Sequence, residues 1–149
     1  MTIDLAVLKT ELTTDPNSYG YAPLIAIGSD QGCADAVNLI RIAIQINRPN
    51  VAPIEILEAI SVDDFIATGQ SVLMGSWFES LTQFSIIRIL KENGQDTRVM
   101  TNIMKILKNG TASETRIRAL SVRAGSRAEQ LFGSGSSITA MDVAIALRG

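Results

Sequence analysis

The sequence predicts an all-α protein: a compact bundle of about six to eight short helices, with a C-terminal segment able to act as an arm. Three observations carry that reading. Apolar residues recur at three- and four-residue spacing along most of the chain. Helix-start signals such as Thr111-Ala112-Ser113-Glu114 and Ser126-Arg127-Ala128-Glu129 punctuate it. No alternating run of convincing length argues for a strand, and no internal repeat is visible.

Ile3, Leu5, Val7, Leu8 and Leu12 predict a first helix, with Asp4 suited to the positive end of its dipole. It stops at Thr14-Asp15-Pro16-Asn17. Leu24–Ile27 reads as one helical turn capped by Gly28, although four residues are too few to fix a period. Ser29 or Asp30 caps a second helix, whose stripe of Cys33, Val37, Ile40 and Ile44 runs to Asn47-Arg48-Pro49-Asn50. Pro53 suits the first turn of a helix over Ile54–Ile60. Ser61 before Asp63 and Asp64 opens a short one to Thr68.

The longest pattern covers Gln70 to Asn93, with Val72, Leu73, Trp77, Leu81, Phe84, Ile87 and Leu90 at helical steps and Asn93-Gly94 as its terminus. Asp96 is placed to cap the next helix, with Val99, Ile103, Ile106 and Leu107 apolar. The capping box at Thr111 opens a helix carrying Ile117 and Leu120, and the box at Ser126 opens one to Phe132. Gly133–Ser137 reads as a flexible connector. Thr139 caps a last helix with Met141, Val143, Ala144 and Leu147 inside. The expected division is a helical core over 1–125 and a C-terminal segment over 126–149.

A chain of 149 residues is long enough to bury a core without staples. Charged residues make up 19%, below the usual ~25% of globular proteins. Either partners cover part of the surface, or a Ser/Thr/Asn-rich surface belongs to a monomer. The single cysteine, Cys33, cannot form an internal disulfide and reads as a small buried hydrophobe. No segment is apolar enough to span a membrane, and Met1-Thr2-Ile3-Asp4 lacks the basic start of a signal peptide, so the expected site of synthesis is a cytoplasm.

Several chemistries lack their residues. There is no histidine, which removes Ser-His-Asp and Cys-His nucleophiles and the commonest transition-metal ligand. One cysteine cannot build a thiolate cage, and no Walker-type phosphate loop is present. Glu55 and Glu58 share a helical face at i, i+3, but a solvated face explains them better than a paired-carboxylate site. The expectation is no enzyme, no metal and no cofactor.

Charge is uneven. Residues 1–96 hold 5 Lys/Arg and 12 Asp/Glu, a net of −7, and residues 97–149 hold 8 and 3, a net of +5. The asymmetry suits either a nucleic-acid face or contacts in which the acidic half of one copy meets the basic half of another. The cluster Arg116, Arg118, Arg123 and Arg127 would serve a helix-turn-helix-like DNA-binding regulator spanning Thr111–Leu147. Against it, the last helix carries only Asp142 and Arg148 as charges, too few polar side chains to read base edges. Arginines reaching a protein partner's carboxylates or carbonyls explain the cluster as well. Of the aromatics, Trp77 or its neighbour Phe78 suits an interface anchor. Tyr19 and Tyr21 lie in a Pro/Gly-rich loop, as contacts or as staples holding the loop to the helices.

Two segments together resemble a known family. Leu8-Lys9-Thr10-Glu11-Leu12 leads to Asp15-Pro16 and Gly20-Tyr21-Ala22; Ser126-Arg127-Ala128-Glu129-Gln130-Leu131-Phe132-Gly133 leads to Thr139 and Asp142-Val143-Ala144. They resemble small helical proteins of tailed bacteriophages that are encoded among virion genes. The resemblance covers the two ends and the order of helices between them. It implies a virion structural protein of the tail, neck or fibre-attachment region, acting through contacts with other virion proteins and with copies of itself. The expected interface is the C-terminal segment from Arg116, including Arg118, Arg123, Arg127 and Phe132, with Tyr19, Tyr21 and Trp77 as further contacts. Nucleic acid and membrane are not expected partners.

Overall fold

The computed structural model describes residues 3–48, 50–67, 69, 72, 75–76, 79, 87–88, 91–92, 95–107 and 110–149. Among these the protein is largely helical and falls into two compact units, residues 1–46 with 124–149, and residues 47–123. No described helix is long and apolar enough to cross a membrane.

The first unit starts with α1 (Leu5–Thr14), α2 (Tyr21–Ala26) and α3 (Asp30–Asn38). Asp4 caps α1 by accepting from the N–H groups of Ala6 and Val7. The helix ends where Asp15 turns left-handed (φ 41). The Asp15 carboxylate then accepts from the N–H groups of Tyr19, Gly20 and Tyr21, which folds the loop toward α2. Leu24–Ile27 was open to either assignment. Its first three residues are helical within α2, and Gly28 follows at φ 68. Ser29 caps α3 through the Gly32 N–H.

The expected second helix is too long. α3 stops at Asn38, and residues Arg41–Asn47 form strand β1. Leu39 is already extended, and the Arg41 guanidinium donates to the freed carbonyls of Ala36 and Leu39 at 2.8 and 3.0 Å. Ile40 and Ile44 satisfy a helical step, but Ile42, Ile44 and Ile46 also satisfy period two, and β-branched residues favour the strand. β1 pairs with β6 (Val122–Gly125) in a two-stranded sheet.

The C-terminal segment is no arm around a connector. It forms α8 (Arg127–Phe132) and α9 (Ala140–Arg148) in the first unit, with α9 packed on α3 and α1. Ala128, Ile138, Val143 and Ala146 are buried beside Leu8, Leu12, Tyr21, Cys33 and Val37. Val143 and Ala146 define the inward stripe of α9, so Met141 lies off it, 67% exposed rather than inside. Both capping boxes close, Ser126 with Glu129 and Thr139 with Asp142. The Gly/Ser connector is tied down, because the Gly135 N–H donates to Glu129 at 2.8 Å.

The second unit contains β2 (Asn50–Val51), α4 (Pro53–Ala59), α5 (Val62–Ala67), β3 (Ile87–Arg88), β4 (Lys91–Glu92), β5 (Gln95–Asp96), α6 (Arg98–Ile106) and α7 (Ala112–Ala119). Its core is Val51, Ile56, Ala59, Met100, Ile103, Leu107 and Ile117. Pro53 occupies the first turn of α4 as expected. Buried Ser113 ties α5 to α7: its hydroxyl donates to Asp64 at 2.5 Å and accepts from the Ser61 N–H at 2.8 Å.

Most of the expected helix over Gln70–Asn93, including Trp77, Phe78, Leu81 and Phe84, lies outside the described residues. Its last part is not helical. β3 pairs antiparallel with β2, and β4 pairs antiparallel with β5, Glu92 facing Gln95. That register leaves Asn93-Gly94 between the partners, the dipeptide that also favours a two-residue hairpin loop. Asp96 therefore belongs to β5, and Thr97 caps α6 through the Met100 N–H. At Thr111 the box is half made, since the Glu114 carboxylate accepts from Gly110 instead of Thr111.

Gly125 marks a close approach inside the first unit. A Cβ there would stand 2.1 Å from Ile46 Cγ1 and 3.2 Å from a Glu129 carboxylate oxygen. Gly125→Ala is expected to lower unfolding stability by about 1–3 kcal/mol, because a stiff β-branched neighbour must give way. Urea denaturation followed by circular dichroism checks this.

Candidate functional site

The sequence singled out four arginines and several aromatics, and the structure gives them different settings. Arg127 lies at the first position of α8, aimed by the Ser126 box. Its guanidinium donates to both carboxylate oxygens of Glu11, Nε to Oε1 at 2.9 Å and Nη2 to Oε2 at 2.7 Å. Nη1 donates to Gln130 at 2.5 Å. Glu11 is 4% exposed, so this is a buried, bidentate ion pair. The buried Tyr21 hydroxyl donates to the same carboxylate at 3.5 Å. Burial and the neighbouring Glu11 charge push the Tyr21 phenol well above its ordinary range. Tyr21 thus presents no ring to a partner; it is a staple.

Tyr19 is half-buried. It packs edge-on to Tyr21 with ring centroids 6.1 Å apart, and the Arg41 guanidinium stands 3.8 Å over its ring. Phe132 is half-buried against the core of the first unit. Arg116, Arg118 and Arg123 belong to the second unit, whereas Arg127 belongs to the first. Arg118 is held by Asp96 at 3.1 Å and by Glu114 at 2.9 Å. Arg116 is exposed on α7, and Arg123 is half-buried on β6. The region read as helix-turn-helix has β6 between α7 and α8, so no tight turn joins two helices there. Trp77 lies outside the described residues.

The Glu55–Glu58 pair does not converge. Glu55 accepts both guanidinium prongs of Arg48, at 2.8 and 3.1 Å, and the Ala52 N–H at 2.8 Å. Arg48 first, then the Ala52 N–H, hold its carboxyl below the ordinary range, while Glu58 faces solvent. The Ser113 hydroxyl does the same for Asp64. Among the described residues no group of three His, Cys, Asp or Glu side chains is placed to hold a metal. Cys33 is fully buried, and burial pushes its thiol up, away from the reactive thiolate.

Two surface features of the first unit remain. One is an open groove of about 510 Å³ between α1 and α8. Ala6, Val7, Pro16 and Leu131 are among its lining residues, together with the Glu11–Arg127 pair. The other lies where α3 passes into β1. Leu39 and Ile40 are each 58% exposed and Ile42 is 90% exposed, three consecutive large aliphatic side chains but for Arg41. The helical spacing places Ile40 in a buried stripe, whereas the structure leaves it exposed beside Ile42. The signal that marks them is the Ile42-Ala43-Ile44-Gln45-Ile46 alternation.

No family model matches the chain, and neither a curated protein nor a solved structure matches it.

Removing Arg127 leaves Glu11 buried without its cation. Arg127→Ala is expected to cost about 3–5 kcal/mol, while Glu11→Leu with Arg127→Met recovers most of the loss because no charge is then stranded. Equilibrium denaturation of the two variants beside the parent chain measures both effects. Equal losses would mean that the pair matters only through packing.

Proposed function

We propose that the protein is a structural assembly component, which acts by packing against other protein chains and performs no catalysis. The observation that carries this reading is the exposure of Leu39, Ile40 and Ile42 at a strand with one edge unpaired among the described residues, while Arg118, Arg127, Arg48 and Arg148 are paired with carboxylates of their own units. Those four guanidinium groups are thereby engaged inside the fold. What the first unit offers outward at β1 is apolar surface, the kind that drives association. Together with the likeness of its two ends to tailed-phage proteins, this supports a multi-copy virion component of the tail, neck or fibre-attachment region.

The ion pairs also weigh against the DNA-binding reading. A phosphate would have to displace Asp96 and Glu114 from Arg118, or the buried Glu11 from Arg127, before either arginine could serve it.

Truncation of 126–149 is a poor test, because Val143, Ala146 and Ala128 are core residues and their loss would unfold the first unit. Mass spectrometry of purified particles of the phage that encodes the chain is direct. The reading predicts the protein in multiple copies per particle. Its absence from intact particles would overturn the virion assignment. In parallel, a labelled DNA duplex at about 50 mM salt is expected to show no binding; tight binding that weakens steeply with salt would favour the regulator.

A further inference from the structure

We infer that β1 is the docking edge for a second copy of this chain, whose own β1 adds to it antiparallel about a two-fold axis through Ile44. This rests on the assembly reading and names a partner for it.

Among the described residues β1 pairs with β6 alone, so its other edge presents unpaired backbone donors and acceptors. Proteins guard such edges with charges, prolines or a covering element. Residues 42–47 contain no charge and no proline. The only charge on the strand is Arg41, and it is folded back. Its guanidinium donates to the carbonyls of Ala36 and Leu39 and lies over the Tyr19 ring. Among the described residues the edge is therefore open and unguarded.

The strand also matches itself. With Ile44 on the axis, Ile42 faces Ile46 of the second copy, Ala43 faces Gln45, and Arg41 faces Asn47. Three β-branched pairs form, Ile42 with Ile46 twice and Ile44 with its own copy, and no like charges meet, which is the condition for a stable cross-strand ladder. A strongly charged peptide would find no complementary charge between Ile42 and Asn47, whereas a neutral β-branched strand fits. Ile42, 90% exposed in the isolated chain, gains a partner.

The size of the surface sets the strength. Leu39, Ile40 and Ile42 at their exposures offer on the order of a few hundred Å² of apolar area, the scale at which patches mark interaction sites. Two such patches fall short of the ~1,200–2,000 Å² of standard stable complexes. The pairing is thus a reversible dimer in dilute solution, strengthened where many copies are held together.

Sedimentation equilibrium of the full chain over a range of concentrations tests this, with Ile42→Lys as the variant and Ile66→Lys, 67% exposed in the second unit, as the control. Circular dichroism establishes that both variants fold, as their exposure leads one to expect. The wild type should show a monomer–dimer equilibrium. Ile42→Lys occurs twice at a two-fold interface and should weaken it roughly tenfold or more, while the control leaves it unchanged. A dimer that Ile42→Lys does not weaken would overturn the docking edge and leave the assembly reading standing. A wild-type monomer at every concentration would also overturn it, and the particle composition would then judge the assembly reading alone. Should Ile42→Lys fail to fold, Ile42→Thr, which keeps the β-branch and removes apolar area, is read against the same two outcomes.

Discussion

The buried pair between Glu11 and Arg127 is the interaction on which the first unit depends. It joins residues 116 positions apart and so brings the two ends of the chain to one core. Two charges in a place that is 4% exposed at Glu11 are tolerable only when bidentate geometry and further hydrogen bonds compensate them. Tyr21 and Gln130 supply those bonds. Asn38 repeats the tie: its side-chain amide donates to the Ile138 carbonyl at 2.7 Å and accepts from the Ile138 N–H at 2.8 Å. Arg148 reaches Asp30 as well, but it is 57% exposed, so solvent screens that pair and it adds little.

Local signals were legible where one residue satisfies a neighbour within a turn. Thr111, Ser126 and Thr139 cap the helices they are expected to cap, and of Ser29 and Asp30 it is Ser29 that caps α3, because capping is decided by the next three residues. Signals that fit two periods were not legible. Ile40 and Ile44 suit a helix, and Ile42, Ile44 and Ile46 suit a strand; the choice is made by β6, some 80 residues away in sequence, which no local window contains. Asn93-Gly94, outside the described residues, suits a helix end and a hairpin loop with equal ease, so the dipeptide alone does not foretell the β4–β5 pairing on either side of it.

The same distinction governs the candidate site. Arg127 and Tyr21 were visible as notable residues, but their partner Glu11 lies in a different helix, so their inward role could not be read from spacing. Read alone, a cluster of arginines near the C-terminus suggests a binding face. In the structure Arg118 and Arg127 sit in different units, each holding carboxylates of its own unit. The uneven charge of the two halves of the sequence is in part internal complementarity, since basic Arg127 and Arg148 meet acidic Glu11 and Asp30 within one unit. The charge these pairs consume is therefore not free for the binding face that the arginine cluster suggests.

The C-terminal segment is core to the first unit and not a detachable arm. Amide hydrogen exchange on the full chain tests it most directly. Ala140–Arg148 is expected to be protected to the same degree as α3, both opening together in one cooperative event. Exchange of Ala140–Arg148 at the rate of a free peptide, with α3 still protected, would contradict it.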